Sequence, residues 1–186
     1  MTVFLLTFLS VTLAMLAGRD AVRIARFAQA GAAPGVLICL AILVAIVACA
    51  VAGWLAGTLA PLISSTYHAW LVGGALAFAA FEVTLFNAPA APREPTRSLG
   101  ALTLVLLSGV LADATGLIVI AFAVASGKPV IAAAGGALAA GGVLAAAALG
   151  GADWEKLPRR TLRLVSGAIL LLTATMIVLF EPAAIV

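Results

Sequence analysis

Met15-Leu16-Ala17-Gly18-Arg19-Asp20-Ala21-Val22-Arg23-Ile24-Ala25-Arg26 closes the first apolar run of the chain, and its reading decides the fold. The run before it, from Thr2, carries no charge, and the three arginines come only at its end. That order is the reverse of a secretory leader, whose positive residues precede the apolar stretch, and Ala14-Met15-Leu16-Ala17 makes a poor cleavage site. The segment is therefore expected to be a retained first transmembrane helix with basic residues at its inner end. Arg19, Arg23 and Arg26 stand at i, i+4 and i+7 and share one helical face. Two forms are open: a short span capped by a basic amphipathic turn, or a long span whose inner half is lined by arginine.

Composition extends the membrane reading to the whole chain. Apolar residues make up 65% and charged residues 9% of 186, and the mean hydropathy is +1.28. Soluble domains carry roughly 25% charged residues, so this chain is expected to lie in a bilayer. A helix needs about 20 apolar residues to cross, and the alternation of a barrel strand is absent. Six apolar segments fall near Thr2–Ala28, Gly35–Ala60, Ala69–Phe86, Leu99–Val124, Val130–Leu149 and Thr161–Phe180.

Charge then orients them. Arg19, Arg23 and Arg26 follow the first segment, Arg93 and Arg97 the third, and Lys156, Arg159, Arg160 and Arg163 the fifth, leaving only Lys128 opposite. The positive-inside rule puts nine of these ten cations in the cytoplasm and both termini outside, in a membrane expected to be the bacterial inner membrane. The pI near 9.4 reflects this loop charge and points to no nucleic acid partner.

The two halves echo each other. A shift of 95 residues lays Leu16-Ala17-Gly18-Arg19-Asp20 over Leu111-Ala112-Asp113-Ala114-Thr115, and Phe27-Ala28 over Phe122-Ala123. A shift of 93 lays Leu71-Val72-Gly73-Gly74-Ala75 over Leu164-Val165-Ser166-Gly167-Ala168, and Pro61 and Pro158 fall in corresponding connections. Three crossings per copy would insert the copies upside down relative to each other. The expected fold is thus all-α: a polytopic membrane protein of six transmembrane helices in two inverted three-helix repeats, residues 1–86 and 99–186, joined by a cytoplasmic linker at 87–98.

Polar residues inside the spans are the candidate site. Asp113 lies about 20 Å into the fourth segment, where an ionised carboxylate must be protonated, paired or hydrated. Thr115 stands two residues on, and Arg19 and Asp20 occupy the matching stretch of the first segment, as candidates to pair with Asp113. Glu82, near the inner end of the third segment, reads as an acid snorkelling to the interface. Cys39 and Cys49 are about 15 Å apart along one helix, too far to bridge, and read as packing residues. One histidine, His68, beside Tyr67 and Trp70, suits an aromatic interface belt better than a metal cluster. Nothing here suits nucleophilic or acid–base catalysis, so no enzyme is expected.

Six helices in two inverted triplets, a motif near residue 15 echoed in the middle of the fourth helix, and a charged linker resemble the calcium/manganese–proton exchanger family, which includes Golgi cation exchangers and bacterial manganese exporters of the LysE-type superfamily. That family's hallmark is Glu-x-Gly-Asp-(Lys/Arg)-(Ser/Thr) in helices one and four. The corresponding stretches are Met15-Leu16-Ala17-Gly18-Arg19-Asp20 and Val110-Leu111-Ala112-Asp113-Ala114-Thr115, and of these only Arg19, Asp113 and Thr115 match. The resemblance implies transport of Mn²⁺ or Ca²⁺ against protons, with Asp113 as metal ligand, Thr115 and backbone carbonyls as further oxygens, and Asp20 as a displaced second acid. No resident cofactor is implied. Ca²⁺ takes about six to eight oxygens, several of them carboxylate, so loss of three motif acids argues against tight cation binding. Two alternatives stay open: transport of an anionic or amino-acid-like solute held by Arg19 and Arg23, and a non-transporting accessory subunit whose partners, besides the lipid bilayer, are other membrane subunits or further copies of the chain.

Overall fold

The computed structural model describes residues 1–86 and 99–180. All regular structure among them is helical: α1 (Thr2–Ala17), α2 (Arg19–Gln29), α3 (Pro34–Leu59), α4 (His68–Leu85), α5 (Leu99–Ala112), α6 (Ala114–Ser126), α7 (Pro129–Glu155) and α8 (Arg159–Phe180), with short 3-10 turns at Ala60–Leu62 and Ser65–Tyr67. Four helices are long and apolar enough to cross a membrane alone: α3, α4, α7 and α8. Up to six cross if α1 with α2, bent by 56°, and α5 with α6, bent by 49°, each count as one broken span. The linker expected at 87–98 lies outside the described residues.

The helix ends follow from local chemistry. Gly31 and Gly127 sit at φ 90° and 64° just past α2 and α6, a left-handed conformation that glycine adopts without strain. Pro34 and Pro129 then open α3 and α7 in the first helical turn, where proline's missing N–H costs nothing. These prolines are themselves 95 residues apart.

The interior breaks fall at the same spacing. Gly18 (φ −69°, ψ 164°) separates α1 from α2, and Asp113 (φ −86°, ψ 163°) separates α5 from α6. Both residues leave the helical region by the same rotation of ψ, and 113 is 18 plus 95. Glycine weakens a helix by about 1 kcal/mol relative to alanine, and aspartate is a favoured N-cap, so each is suited to a break.

Corresponding helices of the two halves pack on each other, α3 on α7 and α4 on α8, and α1 and α2 lean on α7 as α5 and α6 lean on α3. Exchange of the halves does not preserve every contact: α4 meets α6 and α1 meets α8, without comparable α2–α8 or α4–α5 contacts among the described residues. Within the α3–α7 and α4–α8 pairs the chains run in opposite directions. Gly53 faces Ala133 while Gly141 faces Ala45. Gly73 faces Ala174 while Gly167 faces Ala80. The small residues let the backbones approach closely, the usual basis of helix association in lipid.

The core between them is largely apolar, with Phe122, Met15, Ile24, Leu37, Leu76, Leu106, Ile118 and Leu144 all fully buried. Leu43, Trp54, Phe81 and Leu172 lie on the outside, as expected of side chains meeting acyl chains rather than water. Two polar ties gather one end of the bundle. Gln29 Nε2 donates to Gly151 O at 3.3 Å. Arg163 donates to the carbonyls of Val83, Thr84 and Phe86 at 2.6, 2.8 and 2.9 Å, capping the C-terminus of α4 from a different helix. The ends of α2, α4 and α7 and the start of α8 therefore share a face with Arg26, Lys156 and Arg159.

Candidate functional site

The two helix breaks meet at one group of charged side chains. Arg19 is the first residue of α2 and Ala114 the first of α6, so they hold equivalent positions in the 95-residue register. Both reach Glu82 of α4. Arg19 Nη2 lies 2.9 Å from Glu82 Oε1, and the Ala114 amide donates to Glu82 Oε2 at 2.8 Å. Although the ion pair is close, Glu82 Oε1 has no directed hydrogen bond, so the contact is chiefly one of charge. Glu82 is only 7% exposed. It is not the snorkelling interfacial acid expected from its position near a helix end.

Asp113 caps α6 by backbone position without a capping bond from its own side chain; Glu82 satisfies the first amide instead. The Asp113 carboxyl, also buried, lies within hydrogen-bonding reach of Glu82. The expected direct pairing of Arg19 with Asp113 is thus replaced by a chain from Arg19 through Glu82 to Asp113. A single acid on α4 supplies the link, and its contacts are 63 residues away in one direction and 32 in the other. The only local signal for it was a carboxylate in an otherwise uncharged apolar segment, which is by default a functional position.

Asp20 takes a different partner. It is completely buried, with Oδ1 accepting from Arg23 Nη1 at 2.7 Å and Oδ2 bonded to nothing. Gly109 of α5 lies against this pair so closely that a Cβ there would stand 2.9 Å from Asp20 Oδ1 and 3.1 Å from Arg23 Nη1. Thr115 is fully buried and its hydroxyl has no partner. The Arg19 guanidinium also stacks over the Phe86 ring, 5.9 Å from its centroid, which shields one face of the ion pair. Of the two forms open for the first segment, the basic half is a separate helix turned away from α1. Its inner face carries Asp20, Ala21, Val22, Ile24 and Ala25 into the core, while the arginines stay partly exposed.

Where the resembled family has glutamates, Met15 and Val110 are fully buried in the apolar core. No group of three or more His, Cys, Asp or Glu side chains among the described residues is arranged to hold a metal ion. Chemically, the arrangement provides three buried carboxyls and two guanidinium groups, with three minus two leaving one negative charge to be balanced. No family model matches this chain, and no curated protein or solved structure matches it either.

Proposed function

We propose that this chain is a proton-coupled secondary transporter of the inverted-repeat kind, with six transmembrane helices. Its resemblance to cation–proton exchangers lies in the scaffold, with a charge-compensated acid cluster where those exchangers hold a divalent ion. Supporting the repeat are the antiparallel packing of α3 on α7 and of α4 on α8 and the two breaks at equivalent positions. Broken helices that meet near the middle of a bundle are where such transporters hold solutes, because a break leaves backbone groups free to bind them. The face that gathers Arg26, Lys156 and Arg159 is the cytoplasmic one by the positive-inside rule, which leaves both termini outside.

The observation that carries the reading is the convergence of Arg19, Glu82 and Asp113 on the two breaks. A carboxylate left unbalanced in this interior costs several kcal/mol, whereas one proton makes the cluster neutral. Proton binding and release is therefore the cheapest change of state open to it. Two guanidinium groups already neutralise two of the acids, so one charge remains to attract a dication, and Mn²⁺ or Ca²⁺ is a poor cargo. Asp113, with Glu82, carries the proton; Arg19 holds Glu82 across the two breaks; Asp20 and Arg23 hold α2 against α5.

The test is reconstitution in liposomes under an imposed pH gradient with an internal pH dye. The expected result is proton movement that Asp113→Asn abolishes, with weak or absent Mn²⁺ and Ca²⁺ flux. Strong Asp113-dependent Mn²⁺ or Ca²⁺ exchange would return the chain to the ordinary exchangers. A second reading, a non-transporting accessory subunit, is favoured by the complete burial of Met15 and Val110, which close off the position of the family's glutamates. Absence of any proton movement in the unmodified protein would support it.

A further inference from the structure

Glu82 occupies a position with the features of a binding site for a carboxylate from outside the chain. Its two oxygens are divided between two donors, the Arg19 guanidinium at 2.9 Å and the Ala114 amide at 2.8 Å. Those donors are the first residues after the two breaks, one from each half of the chain. A guanidinium paired with the N-terminus of a 13-residue half-helix is a combination suited to carboxylate, since both charge and dipole are positive there. Donor and acceptor capacity is also left over at this place. Arg19 Nε has no partner and Glu82 Oε1 receives no directed bond. Glu82 itself comes from a third helix and fills the clamp incompletely.

We propose that Glu82 is a tethered stand-in for a small monocarboxylate, and that the Arg19–Ala114 clamp is the position where the protein binds such a solute once Glu82 withdraws. This inference rests on the transporter reading for its physiological sense but not for its test. Protonation of Glu82 removes the negative charge that both donors hold. The free carboxylate then engages Arg19 through Nη2 and Nε together and takes the Ala114 amide with its second oxygen. A proton on Glu82 and a carboxylate in the clamp are thereby bound together, which links the two movements in the same direction without a metal.

Chemical rescue of the full chain in detergent tests the clamp. Glu82→Ala opens the position and is expected to lower the unfolding midpoint by about 5 °C or more. Sodium acetate or formate should restore it saturably, while sodium chloride at equal ionic strength should not. Arg19→Ala in the Glu82→Ala background should abolish the recovery. Should Glu82→Ala fail to fold, Glu82→Gln keeps the side-chain volume and drops the charge. Isotope-labelled acetate should then bind Glu82→Gln and not the Arg19→Gln/Glu82→Gln pair. Equal rescue by chloride, rescue that survives loss of Arg19, or no acetate effect on either variant would overturn the clamp. Acetate rescue in a protein that moves no protons would uphold the clamp while removing the transport reading. Proton transport without rescue would do the opposite.

Discussion

Glu82 is the residue on which the polar centre turns, because it contacts the residues following both breaks. Removing its charge partner should cost more than removing the pair. Arg19→Ala leaves a buried carboxylate uncompensated and is expected to lower stability by about 3 kcal/mol, whereas Arg19→Ala combined with Glu82→Gln should cost clearly less than the sum of the single changes. A double-mutant cycle by denaturant or thermal unfolding measures the difference; strict additivity would show that the 2.9 Å contact has no energetic weight. The motif acids of the resembled exchangers do not fit back into this chain easily. A Cβ on Gly18 would stand 2.9 Å from Ala14 O, and Met15 and Val110 have no exposed surface through which a carboxylate could be hydrated. Met15→Glu is expected to destabilise by about 3 kcal/mol or more without creating Mn²⁺ affinity, as read by unfolding and by metal titration.

At the scale of the element, the 56° break at Gly18 converts one apolar segment into an outer apolar helix and an inner amphipathic one. The bend aims Arg19 at α4 and buries Asp20 against α5. Alanine at Gly18 removes a helix-weakening residue and places a Cβ close to the Ala14 and Met15 carbonyls in the bent form, so it favours a straighter rod. The expected outcome for Gly18→Ala is lengthening of the distance between spin labels at Leu5 and Gln29 by roughly 4 Å, with loss of proton movement. An unchanged distance would mean that packing on α7, not the glycine, sets the bend. Arg163 plays a comparable part at the end of α4, where its three carbonyl contacts hold the turn that carries Glu82. Arg163→Ala is expected to cost about 1–3 kcal/mol and to weaken proton movement, an effect Arg163→Lys should repair only in part, since an ammonium lacks the planar fork.

Across the whole molecule, the antiparallel pairing of α3 with α7 and of α4 with α8, and the gathering of basic ends on one face, fit the proposed topology, which can be tested directly. Single cysteines at Ser65 and Arg93, in a chain with Cys39 and Cys49 replaced, should label from outside and from inside respectively with a membrane-impermeant maleimide. External labelling at position 93 would invert the assignment. Cys39 is exposed on α3, and Cys49 is buried 3.2 Å from where a Cβ on Gly136 would lie, so alanine at both keeps the α3–α7 contact intact.

Much of this was legible in the amino-acid order. Uninterrupted apolar runs can satisfy their backbone groups in lipid only as helices, so the helical character followed from composition; the breaks at Gly18 and Asp113 did not, and α7 runs to Glu155, six residues beyond the expected Leu149. An echo between the halves was legible too: Gly18 against Asp113 and Pro34 against Pro129 share one offset of 95. Arg19, Asp20, Asp113 and Thr115 were legible as candidate site residues because polar groups in an apolar helix need a reason to be there. Their partners were not. Whether an acid near a helix end snorkels or is buried depends on which other helix breaks beside it, and no local pattern in residues 68–86 records that α6 begins next to Glu82. The apolar sequence by itself determined that the chain is helical and where its apolar helices lie, through the free-energy cost of polar groups in hydrocarbon. Only the tertiary structure decided that Glu82 joins Arg19 to the N-terminus of α6, because that contact is made between helices distant in sequence and held by charge and hydrogen bonding across two breaks.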